Sequence, residues 1–231
     1  QIEKSLTALG DVAKKQVGLI ELAHDLDIEA ATEIFIRINS KGTALSQADF
    51  VMSKIAVDSK NDGPNLRKAI DYFCHLAVEP GFHGQVKDHD PEFAATDYFQ
   101  KMAWLRADNE DLYDPSYTDV LRVTFGTEFG RGKLSDLVSL LSGRNFVTKQ
   151  FEELIAEESF KKMATGVKRY INETHFKRFV IIIKSAGFIV SAMVRSQNAL
   201  NFAYALYLGL RQRNVDEHVI EAVSDIVGDG G

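Results

Sequence analysis

From Pro64 to Gln212 the apolar residues recur at three- and four-residue steps, in one capped segment after another. That pattern confines most of the chain to helix-on-helix packing. Leu66, Ile70, Phe73 and Ala77 form the first stripe, behind a Pro64 suited to a first helical turn. Leu134, Leu137, Val138 and Leu141 form another, ended by Gly143. Phe151, Leu154, Ile155, Phe160, Met163, Val167, Tyr170 and Ile171 define one long helix or two abutting ones. Asn172 is placed to cap the next, with Phe176, Phe179, Val180 and Ile183 inward, and Ser196 to cap a last one over Gln197 to Gln212. Asp90-Pro91 and Asp114-Pro115 each set an N-cap before a proline, predicting helices of about 18 and about 10 residues. Tyr98, Phe99 and Trp104 fall in the first of these and are assigned to the core. The segment from Phe82 to Asp90 carries His83, Asp88, His89 and Asp90. It has no ligand pair at compact helical spacing, so it reads as a polar connecting loop rather than a zinc site.

Residues before Asn61 have a different texture. Val17 to Ala23 is an apolar run of strand length, and a lone strand needs a pairing edge from elsewhere. Asp27 then caps a helix with Ile28, Ala31, Phe35 and Ile38 on one face, stopped by Ser40, Lys41 and Gly42. Ser46 and Asp49 form a capping box, with Leu45 and Phe50 as its hydrophobic staple. The corner so formed carries Arg37, Asn39, Ser40, Lys41 and Thr43, with Gly42 in the turn, beside a helix N-terminus, which suits an anion or phosphate. The competing reading is a solvated corner, with Arg37 paired to Glu33 and Asn39 bonding turn amides. The expected fold is mainly α, a multi-helix bundle-like domain with a short N-terminal strand. Asn61-Asp62-Gly63-Pro64 divides it into residues 1–60 and 61–231.

A hydrophobic share of 45% and a charged share of 26% are those of a globular domain able to bury a core. The most apolar stretch, Phe179 to Val194, is broken by Lys184, Ser185 and Gly187 and is too short to span a bilayer. The lone Cys74 excludes an intrachain disulfide and fits a reducing cytoplasm. No G-x-S-x-G, G-x-x-x-x-G-K-[ST], C-x-x-C or H-E-x-x-H occurs. TFGTEFGRGK, with Gly126, Gly130, Arg131 and Gly132, is glycine-rich but follows no strand, and is read as an interhelix loop. The net charge of −6 conceals an imbalance: residues 131–213 hold 14 Lys and Arg against 6 Asp and Glu. A basic region of that kind permits, without requiring, a surface for an anionic partner.

The run EIFIRINSKGTALSQADFVMSKI resembles the signature segment of the N-terminal domain of GmrSD-type modification-dependent restriction endonucleases. The similarity continues through YDPSYTDVLRVTFG and LVSLLSGRNF to SQNALNFAYALYLGLR. In that family an upstream segment resembling ParB and sulfiredoxin proteins carries an Asp-Gly-Gln-Gln-Arg motif tied to nucleotide hydrolysis, and a His-Asn-His nuclease domain often follows. Neither occurs here, and the chain opens on Gln1 in mid-pattern, so the resemblance implies a fragment of a longer protein.

On that resemblance the chain would belong to a bacterial defence protein, supplying part of a nucleotide or phosphodiester site and a helical face for DNA or a partner. NTP with Mg2+ would serve the full-length protein, with no cofactor held tightly by this fragment. The expected partners are the upstream segment, DNA and a second copy of the chain, without a membrane. No catalytic residue or metal ligand is assigned, and the fragment alone is expected to be inactive, since catalytic groups act as a unit. The alternative is a non-catalytic helical protein-interaction module.

Overall fold

Ser46 opens the first helix of the second of two units in the computed structural model, which describes residues 45–107 and 112–213, with Gly10, Asp11, Glu21, Ile34 and Val215 besides. The chain divides into two compact units, Gln1–Ala44 and Leu45–Gly231, and the account that follows concerns the second. The Ser46 amide donates to the Asp49 carboxylate at 2.7 Å and the Asp49 amide to the Ser46 hydroxyl at 3.2 Å. This capping box starts α1 (Gln47–Val57), which buries Val51 and Ile55. Asp62, in the left-handed region, turns the chain into α2 (Gly63–Val78). A Cβ at Gly63 would stand 2.0 Å from the Ile55 carbonyl oxygen, so only glycine fits this turn.

The segment expected to be a loop from Phe82 to Asp90 is a helix, α3 (Phe82–His89). His83 and Val86 pack inward from it, and burial outweighs a composition that favours a loop. The single helix expected after Pro91 is three pieces: α4 (Pro91–Ala94), α5 (Asp97–Lys101) and a 3-10 turn, Ala103–Arg106. Thr96 makes the break. Its hydroxyl donates to the Phe93 carbonyl at 2.7 Å and accepts the Phe99 amide at 3.4 Å, ending one helix and capping the next.

Then come α6 (Tyr117–Phe129), α7 (Leu134–Leu141), α8 (Glu153–Tyr170), α9 (Glu173–Ser185) and α10 (Gln197–Gln212). α6 starts later than Asp114-Pro115 predicts, because Ser116 and Asp119 form a second capping box, and it reaches 13 residues because it runs on until Gly130 closes it in the left-handed region. α8 is one long helix, and Asn172 and Ser196 cap α9 and α10 as the sequence predicts.

The mainly α, multi-helix fold expected from the sequence is the one observed. α6 packs on α8 and α10, α1 on α2 and α7, and α8 on α7. Among the described residues the β-pairing is an isolated antiparallel bridge between Arg144 and Phe151. Of the expected Val17–Ala23 strand only Glu21 is described, and it belongs to no regular element. An aromatic cluster fills the centre: Phe73 of α2, Tyr113, Tyr170 of α8, Phe176 and Phe179 of α9, and Tyr204 of α10. Phe179 and Tyr204 stack at 4.4 Å, and Tyr170 lies 4.9 Å from Tyr204. Edge and offset ring contacts of this kind add to the area they bury. Among the described residues no helix is long and apolar enough to cross a membrane.

Candidate interaction groove

Where α6 and α10 pack, Gly126 lets the helices approach closely, a Cβ there reaching 3.3 Å from the Ala205 Cβ. Their outer faces then diverge and leave an open groove of about 690 Å3. Its floor is apolar, from Ala205, Leu206, Gly209 and Leu210, and Phe202 stands beside it 62% exposed. At Gly209 an added Cβ would meet nothing within 4 Å, so the helix surface is cut back at that point.

The rim is basic. Arg122 of α6 donates to the Asn198 side-chain oxygen on α10. Arg131 follows the Gly130 cap, pairs with Asp136 at 3.2 Å and lies over the Phe146 ring at 4.6 Å. Arg213 completes the rim at the end of α10, and no carboxylate is among the lining residues. Glycines at 126, 130 and 132, read from sequence as an interhelix loop, are thus the end of α6 and one wall of the groove. The arginine-and-glycine composition of TFGTEFGRGK was the visible signal; the opposing face of α10 was not.

Beneath the groove a buried polar chain fixes α6 to α10. The Asn201 side-chain amide donates to Asp119 Oδ1 at 2.6 Å, while Asp119 Oδ2 accepts from the Ser116 amide and hydroxyl at 2.8 and 2.7 Å. Tyr113 donates to the Asn201 carbonyl oxygen at 3.2 Å, and Tyr204 to the Tyr170 backbone oxygen at 2.8 Å. Every member is satisfied, as a buried network must be to stabilise.

The other sequence-based candidates fare differently. Arg37, Asn39, Ser40, Lys41 and Gly42 lie outside the described residues. The His83–Asp90 stretch does not gather. Asp90 caps α4, accepts from the Tyr72 hydroxyl at 3.0 Å and pairs with Lys68 at 2.7 Å, whose hydrogen bond holds its carboxyl below the ordinary value. Among the described residues no three His, Cys, Asp or Glu side chains could share a metal ion. Cys74 is a packing residue whose thiol burial pushes well above the ordinary range, the opposite of a reactive thiolate.

No protein-family model, curated protein or solved structure matches this chain. That finding overturns the likeness to GmrSD-type endonucleases and what it implied: a defence or restriction role, a nucleotide or phosphodiester site, and a DNA-facing surface. The fold agrees with the correction. A ParB- or sulfiredoxin-like nucleotide domain needs a β-sheet, and the described residues form none. Of the quoted runs, the described parts are capped helices, whose end and stripe residues recur in many helical proteins and so do not by themselves mark a family.

Proposed function

We propose that this chain is a non-catalytic helical protein-interaction module, and that the α6–α10 groove takes an acidic amphipathic helical segment of a partner protein. The observation that carries the reading is the pairing of an exposed apolar floor, marked by Phe202, with a rim of Arg122, Arg131 and Arg213 free of lining carboxylates. A helix bearing apolar residues at three- and four-residue spacing would cover the floor, while flanking carboxylates would meet the arginines. The notch at Gly209 would receive one large anchor side chain, as buried anchors carry most of the energy at such interfaces. We place the module in the cytoplasm, on the strength of its single, half-buried Cys74.

The test is titration of a labelled acidic amphipathic helical peptide, with a basic peptide of the same apolar pattern as control. The acidic peptide should bind with salt-dependent affinity and the basic one should not. Gly209→Leu, whose Cβ would meet nothing within 4 Å, should fill the notch and weaken binding about tenfold or more while the helix content stays unchanged. Equal binding by wild type and Gly209→Leu would move the site elsewhere. Self-association abolished by the same change would give the groove to a second copy instead.

A further inference from the structure

A second cavity, of about 600 Å3, opens between α3, α5 and the Ala103–Arg106 turn. Its charged and ionisable lining is His83, Lys87 and Arg106, with Phe99 and Pro80 as apolar walls, and no carboxylate lines it. Lys87 and Arg106 are exposed, and among the described residues neither is ion-paired. The Arg106 Nε donates to the Ala103 carbonyl at 3.1 Å, which steadies the guanidinium on its turn. His83 is 8% exposed, its ring tilted 31° against Phe99 at a centroid distance of 4.5 Å, and its Nε2 has no hydrogen-bond partner.

A satisfied core would not leave this arrangement. A buried ring nitrogen without a partner is unfavourable, and two cations converging on it disfavour any added proton. Burial first, then Arg106 and Lys87, hold the imidazole below its ordinary pKa, so both cations are close enough to act on it. Surface cations are commonly scattered among carboxylates, whereas these share one apolar-walled concavity without any. An anion with several oxygens would neutralise both cations and offer an acceptor to the imidazole.

We infer that this cavity binds a small multivalent oxyanion, a phosphate ester or a polycarboxylate, held by Lys87 and Arg106 with His83 as hydrogen-bond donor. The α3 helix makes the site possible: it sets His83 and Lys87 four residues apart on one face, towards the turn carrying Arg106. The inference does not depend on the groove, which lies on other helices.

The experiment follows the His83 ring nitrogens by NMR in the whole chain, assigned by their loss in His83→Gln. Inorganic phosphate and citrate are titrated separately, each against sodium chloride at matched ionic strength. A saturable shift of the His83 signals with phosphate, citrate or both is expected, and the more effective probe tells ester from polycarboxylate. Lys87→Gln and Arg106→Gln, exposed positions whose change leaves the fold intact, should each weaken that binding about tenfold. Gly209→Leu should leave it unchanged. No saturable shift with either probe, an equal response to chloride, or affinity indifferent to both cation changes would overturn the inference.

Discussion

The hydroxyl of Tyr113 lies 2.7 Å from that of Tyr170, with both side chains sealed from solvent. Because Tyr113 donates onward to Asn201, Tyr170 is the donor of the pair, and the relay ends on the Asp119 carboxylate. Tyr170→Phe should remove one bond and cost about 1 kcal/mol, whereas Asn201→Ala strands both Tyr113 and Asp119 and should cost about 3 kcal/mol. Denaturant midpoints at unchanged slope measure both.

Two helical glycines should respond oppositely to alanine. At Gly166 a Cβ would stand 2.5 Å from Thr124 Cγ2 and 2.7 Å from Glu128 Cγ, so α6 and α8 would be forced apart. Gly166→Ala should destabilise by about 1–3 kcal/mol despite the better helix former. Gly209→Ala meets open space and should stabilise by about 0.5–1 kcal/mol. Thermal melts of the two variants, run side by side, decide it.

The Tyr117 hydroxyl donates to Asp49 at 2.6 Å, and that bond, ahead of those from Ser46, holds the Asp49 carboxyl below its ordinary 3.8. A carboxyl depressed in the fold contributes stability that is complete above its unfolded pKa and is lost as pH falls through the folded one. Tyr117→Phe should therefore cost about 1 kcal/mol near neutrality. The gap from wild type should close below pH 3.8, as followed by acid titration of both proteins.

Burial lifts the phenols of Tyr113, Tyr170 and Tyr204 well above 10. A phenol raised in the fold keeps its full contribution below the unfolded pKa and loses it as pH rises beyond. Ultraviolet titration should show these three tyrosines ionising only together with loss of helix. Early, reversible ionisation of all seven tyrosines would contradict the buried cluster.

The helices with strong end signals were legible in the chain. Ser46 with Asp49, Asn172 and Ser196 each cap where their side chains dictate, and the stripe from Phe176 to Ile183 faces inward as its spacing requires. Thr96 was missed because a hydroxyl inside an apolar period gives no warning that it will bond Phe93 and split the helix. α3 was missed because its histidines and glycine have weak propensity, and only packing against Phe99 settles it. The groove joins residues near 126 and 205, which no local pattern relates. The family likeness failed for a related reason: capped amphipathic helices reuse the same residues in many folds, so local runs of that kind do not identify a family.

Tyr204 is supplied by α10, the final described helix, yet its ring is stacked against Phe179 and seated beside Tyr170. Synthesis at roughly 5–20 residues per second delivers α6, α8 and α9 to the ribosome surface before the piece that seals them. Through that interval Phe179 and Tyr170 lack the Tyr204 ring that covers them in the fold. A nascent chain arrested before Ser196 should remain chaperone-bound, and release through Gln212 should let it go. Among the described helices, α10 is thus the one whose late arrival would set when the newborn chain can close its aromatic centre.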